Sequence, residues 1–390
     1  MRNPIRMLWR TISASLLTLS VQASAIVLLA PRQYGQFALF YVMLGLGSAA
    51  VYALVSEAWV RSIIRVDDWV RYCTALISVG VFLALPTTVI AFVVGEPVLG
   101  VVAAIAGVAS LYRLGARFFV VSLGDYRCVA LADTLSVILF WVSLLATLRL
   151  WNGLAAVTVA WAIGALTSSV LSKRARISLV SDSIWKWLSE RWSAIRFLAF
   201  DAALLETGST AVPLALTPFM GLADFGVCRS ISSAAVPVRL IVNPLRPNIA
   251  RRSAEKMLDP RVVGGTLLVG LLLGGGVWVV LVWVGYAEFA SASTLAALAG
   301  HALPVGLFVT MNFVATFYYV SLRTQARGTA LMRYRATQTV LTIVIPISAY
   351  LLFGLSGAVW GYVILSSLAL VHSIRTLKAS GRDESREGEF

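Results

Sequence analysis

Four ionisable side chains lie inside two consecutive apolar runs, and their types and positions suggest chemistry most directly. Asp201 and Glu206 fall in one run, and Arg229 and Arg239 fall in the next. On membrane-insertion scales a charge at the centre of an apolar helix costs about 2.5 to 3.5 kcal/mol, so each needs a partner or a water-filled cavity. These residues are therefore the first candidates for a functional site.

Two interpretations of this group stay open, and both can hold at once. Glu206 and Arg239 are expected at similar depth, so Glu206 and Asp201 are predicted to serve in ion coupling or in an internal ion pair. Arg229 and Arg239 are also candidates for binding an anionic headgroup, because a guanidinium matches phosphate oxygens with two parallel N–H bonds.

The first half of the chain carries a similar pattern. Glu57 and Arg61 close the second apolar run, and Arg113 and Arg117 stand one helical turn apart on the fourth. The three arginines are further candidates for headgroup binding, and Glu57 is a candidate for ion coupling or an internal pair. The alternative is that these arginines snorkel to the interface or only set the topology.

The remaining polar residues of these runs are interpreted as structural. Asp125 with Arg127, and Asp133 beyond them, are expected to form pairs near helix ends rather than to carry protons. Asp224 is predicted to cap the helix that follows it. His301 is a lone histidine near the outer face, where a structural role is more common than a proton switch.

The sequence carries no enzyme signature. It contains two histidines and three isolated cysteines, so metal-ligand spacing is not indicated. It has neither a phosphate-binding glycine loop nor a Gly-x-Ser-x-Gly motif. ATP hydrolysis and other enzymatic activity are not expected, and no metal or cofactor is predicted.

Composition places these residues in a membrane protein. Hydrophobic residues make up 59% of the 390 and charged residues 13%, and the mean hydropathy is +0.85, far from the balance of a soluble domain. Since about 20 apolar residues cross a bilayer core, the chain is predicted to be all-α with about twelve transmembrane helices. The predicted spans are 11–30, 36–58, 72–94, 98–120, 128–148, 153–172, 196–217, 225–246, 262–285, 302–322, 336–355 and 357–374.

The net charge of +14 reflects topology and not nucleic-acid binding. Lysine and arginine concentrate in alternate loops, and the loops between them hold almost none. This alternation follows the positive-inside rule and puts both termini in the cytoplasm. The first span is expected to remain as an anchor, because it has full length and no convincing cleavage site.

Landmarks recur in the two halves of the chain. The stretch Leu29–Phe40 is interpreted as an outer turn, with Pro31 ending one helix and Gly35 allowing tight re-entry, and Leu216–Gly226 resembles it. Two further pairs recur in the same order, namely Tyr126-Arg127 with Tyr334-Arg335, and Asn152–Ala156 with Gly354–Ala358. Two six-helix bundles are therefore predicted, related by a pseudo-twofold axis along the membrane normal with a cleft between them.

The predicted domains follow from this duplication. They are an N-terminal bundle at 1–172, a cytoplasmic amphipathic linker at 173–195, a C-terminal bundle at 196–378 and a disordered tail at 379–390. The linker carries Ile184, Trp185, Leu188, Trp192 and Ile195 at helical spacing.

With these features in place, the chain resembles the Wzx-type lipid-linked oligosaccharide flippases, the polysaccharide-exporter branch of the multidrug/oligosaccharidyl-lipid/polysaccharide (MOP) superfamily. Leu29–Ala38 is similar to the Leu-Gly-Pro-x-x-Tyr-Gly-x-Phe-Ala signature of that family. Phe225–Ser230, Val236-Pro237, and Pro247 followed by Arg251-Arg252 are similar to the elements around its eighth span. The resemblance implies a MATE-like fold of two bundles, a cavity lined with cationic residues, and a headgroup role for Arg229 above all, with Arg61 and Arg239 matched less closely.

Two differences from other branches of the superfamily bear on the predicted substrate. The first span lacks the cavity arginines of the peptidoglycan-precursor flippases and the chain lacks their two extra spans, so a surface-polysaccharide, O-antigen or teichoic-acid-like precursor is favoured. The drug exporters of the superfamily imply an acidic residue in the first span, and none lies between Thr11 and Ala30.

The leading hypothesis is a flippase that moves a polyprenyl-(pyro)phosphate-linked oligosaccharide from the inner to the outer leaflet of the cell inner (plasma) membrane. Alternating access driven by an ion gradient or the membrane potential is expected. Membrane lipids and a glycosyltransferase or polymerase of the same pathway are the expected partners. The alternatives are a drug/cation antiporter of the same fold and a non-transporting component of a glycan-assembly complex.

Overall fold

The computed structural model describes residues 4–61, 69–94, 96–122, 126–171, 184–206, 220–235, 254–286, 292–325 and 328–387, together with Val238, Ile241, Val242 and Ile249. Every element within these residues is helical. The chain forms two compact units, one of Met1–Leu29 with Gln33–Glu206 and one of Ala30–Arg32 with Thr207–Phe390. The contacts thus group residues 184–206 with the first unit.

The first unit contains nine α-helices within its described residues and one π-helical turn. The helices are α1 (Pro4–Leu28), α2 (Pro31–Ala50), α3 (Glu57–Arg61), α4 (Trp69–Val93), α5 (Pro97–Ser122), α6 (Tyr126–Thr147), α7 (Gly153–Leu171), α8 (Ile184–Glu190) and α9 (Trp192–Glu206). The π-helical turn, Val51–Ser56, joins α2 to α3 without a break in the helix. We call Val51–Ser56 the π-turn.

The second unit is described through six helices. They are α10 (Leu222–Ala234), α11 (Ala254–Met257), α12 (Pro260–Tyr286), α13 (Thr294–Ala299), α14 (Ala302–Gln325) and α15 (Gly328–Glu387). Helix α15 is kinked at Gly354, whose φ of 62° and ψ of −150° leave the helical region. The kink divides α15 into two membrane-length segments, as the predicted eleventh and twelfth spans require.

Each unit is held by its own apolar core. In the first, α5 packs against α4 and α7, and α6 packs against α1 and α7. Tyr72, Leu76 and Phe119 are fully buried there, beside Trp187 of α8. In the second, α14 packs against α12 and α15 around Val309, Phe313 and Tyr318. Large apolar side chains also remain exposed on the outside of both units, as expected for surfaces that face lipid.

The length and composition of the helices agree with membrane crossing. Within the described part of the chain, seven helices are long and apolar enough to span a bilayer, and two shorter apolar helices accompany them. Predicted spans seven and eight lie partly outside the described residues, which contain only Trp192–Glu206 and Leu222–Ala234 of that region as helices. The orientation of the termini stays a prediction.

The turn between the first two spans is shorter than predicted. Helix α1 ends at Leu28 and α2 begins at Pro31, so Pro31 starts a helix and does not end one. Proline suits the first helical position, because its fixed φ matches the helix and its missing N–H would have no partner there. Gly35 is buried within α2 and makes no turn, so this part of the prediction is wrong.

The linker and the tail are both helical where the structure describes them. The linker helix breaks at Arg191, between α8 and α9, and Trp187 is the tryptophan that becomes buried, whereas Trp185 and Trp192 are exposed. At the other end, α15 continues to Glu387, within the stretch for which a disordered tail is predicted.

Candidate functional site

A buried cluster of three charged residues lies in the first unit. Asp133 of α6 is 1% exposed and receives hydrogen bonds from two arginines of α5. Arg113 donates from Nε and Nη2 to Oδ1, at 3.0 and 2.8 Å. Arg117 donates from Nη1 to Oδ2, at 3.0 Å. We call Arg113, Arg117 and Asp133 the arginine–aspartate cluster.

The positions of the three residues along their helices explain the contact. Arg113 and Arg117 are four residues apart and so share one face of α5. Helix α6 starts at Tyr126, four residues after α5 ends, and both helices pack against α7. At 1.5 Å per residue, Arg117 and Asp133 lie at about the same distance from the turn. A carboxylate at that depth on α6 therefore meets both guanidinium groups.

The cluster carries one positive charge in excess of its negative charge. Charged groups taken out of water cost several kcal/mol each unless they are paired and hydrogen-bonded, and here both guanidinium groups bond to the one carboxylate. Ser168 of α7, with Ala116, Val129 and Ala132, completes the small cavity around the three residues. The arrangement can attract an anionic group.

The π-turn brings a tyrosine close to this cluster. Tyr52 is 38% exposed and its ring meets Phe118 edge-on, with centroids 6.2 Å apart. Its hydroxyl lies within electrostatic range of Arg117 and Glu57. Single π-helical turns within α-helices often occur at functional sites. Tyr52 is therefore a neighbour of the arginine–aspartate cluster, and the half-buried Glu57 is a neighbour of Tyr52.

Arg229 in the second unit is half-buried on α10. It lies within electrostatic range of the Tyr362 hydroxyl of α15, which is hydrogen-bonded to Ser232. Asp224, in the first turn of α10, accepts a hydrogen bond from Tyr350 at 3.2 Å. Because the N-cap residue is Gly221 and no side chain caps the helix, the predicted capping role of Asp224 is wrong.

Four of the predicted site residues lie outside the described side chains. Arg239 lies outside the described residues, and for Arg61, Asp201 and Glu206 only the helical backbone is described. The proposed pairing of Glu206 with Arg239, and all headgroup roles, therefore stay predictions. Among the described residues no group of histidine, cysteine or carboxylate side chains has the geometry of a metal site.

The prediction that Asp133 forms an ion pair is confirmed, whereas the predicted location of that pair is wrong. Asp133 was expected to pair near a helix end, and it lies instead seven residues inside α6 as the shared partner of Arg113 and Arg117. The sequence does carry a signal for this contact. Asp133 and the two arginines lie at similar distances along the chain from the segment that joins α5 to α6, so antiparallel helices would bring them to the same depth.

Comparison with known proteins identifies the fold. Neither a scan against protein-family models nor a search of curated proteins finds a match. Among solved structures, an inward-facing multidrug resistance MATE transporter of the MOP superfamily matches with a TM-score of 0.64 and 14% identity, over 95% of this chain and 96% of the other. The chain has the MATE fold.

Two further structures with the MATE fold extend the comparison. A eukaryotic MATE transporter matches with a TM-score of 0.59 and 12% identity, over 97% of both chains. A MOP superfamily transporter from Pyrococcus furiosus matches with a TM-score of 0.53 and 14% identity, over 96% of this chain and 94% of the other. At these identities the likeness shows the fold alone.

Proposed function

We propose that the protein is a flippase for a lipid-linked anionic substrate, a polyprenyl-(pyro)phosphate-linked oligosaccharide that it moves from the inner to the outer leaflet. The observation that carries this proposal is the arginine–aspartate cluster, in which Asp133 holds Arg113 and Arg117 together at 2.8 to 3.0 Å. A pyrophosphate bears the charge that such a cluster attracts.

The chemistry of the two arginines suits a phosphate. Guanidinium groups bind phosphate oxygens through fixed, planar N–H donors, and their charge persists at any physiological pH. Asp133 fixes their orientation before substrate binds, which lowers the ordering cost of binding. We propose that a headgroup enters the cavity beside Ser168 and accepts hydrogen bonds from the two guanidinium groups.

Arg229 is the proposed contact in the second unit. It corresponds to the arginine of the Gly-x-Tyr-Arg element in the flippases that the sequence resembles. Its half-buried position beside Tyr362 supports a role in binding, since a half-buried arginine keeps part of its surface accessible to a ligand. Arg61 and Arg239 remain candidates for further contacts, and Asp201, Glu206 and Glu57 for coupling to an ion gradient or the membrane potential.

A drug/cation antiporter is the second candidate, and one observation favours it. The solved structures that match this chain include multidrug resistance transporters. However, the first span of this chain has no acidic residue between Thr11 and Ala30. Asp133, which is buried in the first unit, already bonds to two arginines. A binding pocket of reverse polarity, suggesting a different function, is described for the Pyrococcus furiosus transporter, so the fold is compatible with unlike substrates.

The proposed setting is the cell inner membrane, where a glycosyltransferase or polymerase of the same pathway would supply or consume the substrate. The third alternative, a non-transporting component of a glycan-assembly complex, fits a transporter fold less well. It predicts that the purified protein moves no substrate.

Reconstitution tests the proposal. Proteoliposomes are loaded with a fluorescent polyprenyl-pyrophosphate sugar, and its inner-to-outer transfer is followed by quenching under an imposed proton gradient. We expect transfer by the wild type and a loss of about tenfold or more in Arg117→Gln, which removes a charged hydrogen-bond donor. Arg117→Lys keeps the charge without the planar fork and should fall between the two.

The matched control is Arg149→Gln, which changes an exposed arginine of the same unit and should transfer at the wild-type rate. Ethidium efflux measured in parallel decides between the candidates. Ethidium export without sugar-lipid transfer would overturn the flippase in favour of the antiporter, and full activity of Arg117→Gln would overturn the role of the cluster.

A further inference from the structure

The linker helices α8 and α9 pack against the first unit with one face. Trp187, Arg191, Ile195 and Leu198 are buried, and each follows the previous one by three or four residues, which is the spacing of one helical face. The indole Nε1 of Trp187 donates a hydrogen bond to the carbonyl of Leu54 at 2.9 Å. The spacing continues across the break at Arg191, so both helices turn the same side towards the unit.

The opposite side of these two helices is exposed and rich in aromatic residues. Trp185 is 76% exposed, Trp192 is 58% exposed and Phe200 is 54% exposed. Lys186 and Arg196 are exposed as well. Trp192, Arg196 and Phe200 are four residues apart and therefore stand in one row along α9. We call Trp185, Lys186, Trp192, Arg196 and Phe200 the outer linker face.

The charge of this part of the linker is mainly positive. Three basic residues and one acidic residue lie between positions 184 and 200. A carboxylate oxygen of the acidic residue, Glu190, lies 3.3 Å from Nη1 of Arg191 and 3.8 Å from Nη1 of Arg71 on α4. Lys186, one turn before Glu190, lines a small cavity between α8 and α4 together with Glu190 and Arg71. Basic groups thus surround the one carboxylate, and the surface attracts an anionic partner.

The course of α9 indicates that this partner is a lipid. The helix begins at Trp192 and enters the predicted seventh span, 196–217, on which the exposed Phe200 is placed to face hydrocarbon. At 1.5 Å per residue, Phe200 lies about 12 Å further along α9 than Trp192, with Arg196 halfway between them. Tryptophan is enriched at the level of the lipid headgroups, and arginine near a helix end reaches towards them. The row therefore runs from headgroup level into the lipid-facing surface without a break.

We propose that the outer linker face binds anionic phospholipid headgroups of the adjacent leaflet. Arg196 and Lys186 contact the lipid phosphates, and Trp185 and Trp192 lie among the headgroups beside them. Because the other face of the same helices is docked on the first unit, a bound lipid holds that unit at a fixed depth in the membrane. The bound lipid is a constituent of the bilayer and is distinct from the transported substrate.

Lipid titration of the full-length protein tests this proposal. The protein in a neutral detergent is titrated with phosphatidylglycerol, and the bound lipid is counted by native mass spectrometry. We expect Arg196→Gln to weaken binding about fivefold, which is the change that about 1 kcal/mol per basic residue produces. The matched control, Arg149→Gln, removes another exposed arginine of the same unit and should bind as the wild type does.

A second charge variant and a neutral lipid keep the result decisive. Lys186→Gln should weaken binding by a similar factor, and the double variant Lys186→Gln/Arg196→Gln by about twenty-fivefold. Phosphatidylcholine, whose headgroup has no net charge, should bind the wild type more weakly than phosphatidylglycerol does. Equal affinity for the two lipids, or wild-type affinity in the double variant, would overturn the proposal.

A brominated lipid, which quenches the fluorescence of nearby tryptophans, locates the binding surface. In nanodiscs of phosphatidylcholine with a fraction of brominated phosphatidylglycerol, quenching should fall as salt is raised, because salt screens attraction to exposed charges. Trp185→Phe/Trp192→Phe should lose most of this salt-sensitive quenching. Trp283→Phe removes a tryptophan of the second unit that is 61% exposed and should retain it. Equal salt-sensitive quenching in the wild type and in Trp185→Phe/Trp192→Phe would overturn the assignment.

A second copy of the chain is the competing occupant of the outer linker face, since exposed aromatic rows also form interfaces between subunits. The mass of the protein in detergent, measured by light scattering, separates the two cases. We expect the same mass for the wild type and for Trp185→Ser/Trp192→Ser. A wild-type dimer that this variant dissociates would overturn the lipid site in favour of a subunit interface. None of these measurements contains a sugar-lipid, so their outcome is independent of the proposed transport.

Discussion

Asp133 accepts two hydrogen bonds from Arg113 through a single oxygen, Oδ1, at 3.0 and 2.8 Å. The second oxygen of Asp133, Oδ2, accepts a hydrogen bond from Nη1 of Arg117 at 3.0 Å. One carboxylate therefore orients two guanidinium groups in the interior of a membrane-spanning bundle. The stability and the charge of the first unit both depend on this residue.

Removing the charge of Asp133 should destabilise the protein. Asp133→Asn removes the carboxylate charge that both partly buried guanidinium groups bond to, and breaking a buried pair in this way costs about 3 to 5 kcal/mol. Thermal unfolding in detergent, followed by tryptophan fluorescence, should show a clearly lower midpoint. The double variant Asp133→Asn/Arg113→Gln should recover part of the loss, because one of the two guanidinium groups that lost this carboxylate is gone.

The control for this experiment is Glu255→Gln, which neutralises an exposed carboxylate of the second unit. Its unfolding midpoint should match that of the wild type. An Asp133→Asn protein as stable as the wild type would contradict the assigned role of the ion pairs.

Close packing of α12 on α14 requires glycine at one position. A Cβ at Gly274 would overlap the Gly306 carbonyl and the Thr310 hydroxyl, whereas a Cβ at the next residue, Gly275, meets nothing within 4 Å. Gly274→Ala should therefore destabilise the second unit by about 1 to 3 kcal/mol. Gly275→Ala should be neutral or stabilising by about 0.5 to 1 kcal/mol, because alanine favours the helix, and equal midpoints for the two variants would refute the steric argument.

The kink in α15 depends on the backbone of Gly354. Its φ of 62° and ψ of −150° lie in a region that only glycine occupies readily, although a Cβ there would meet no neighbouring atom. Gly354→Ala should cost about 1 to 3 kcal/mol through backbone strain alone. Chemical denaturation checks this, with Gly265→Ala as a control at a glycine that also has open space around it.

His301 should make stability depend on pH. It lies between α13 and α14, outside the membrane-spanning segments, and burial lowers its pKa below the usual 6.5. Because the folded state resists protonation more than the unfolded state does, its contribution is present above pH 6.5 and is lost as the pH falls through the lowered pKa. His301→Gln should flatten the fall in unfolding midpoint over this acidic range, and an unchanged slope would contradict the assignment.

The sequence by itself determined the class and the broad plan of this protein. The length of each apolar run predicts that it crosses the membrane. A backbone in lipid must form its hydrogen bonds within the protein, and a helix of about 20 residues does so while it spans the bilayer core. The runs that became α4 to α7, α12 and α14 were predicted close to their observed ends for this reason. The predicted boundary between the eleventh and twelfth spans, at residues 355 to 357, lies next to the observed kink at Gly354.

Only the tertiary structure decided which polar groups meet. Asp133 was expected to pair near a helix end, and only the structure shows that its partners are Arg113 and Arg117 of α5. Trp187 fell outside the apolar stripe that the linker's spacing indicated. The π-turn has no sequence signature of its own, since it is stabilised by groups on α4 and α8 that are distant along the chain. The spacing of apolar residues indicates which face of a single helix packs against apolar surroundings. Ion pairs and hydrogen bonds to backbone carbonyls depend instead on how two helices are placed relative to each other, both along their axes and in rotation about them. The resemblance around Leu29–Ala38 pointed to the fold and to Arg229, and the packing of α5 and α6 added the arginine–aspartate cluster.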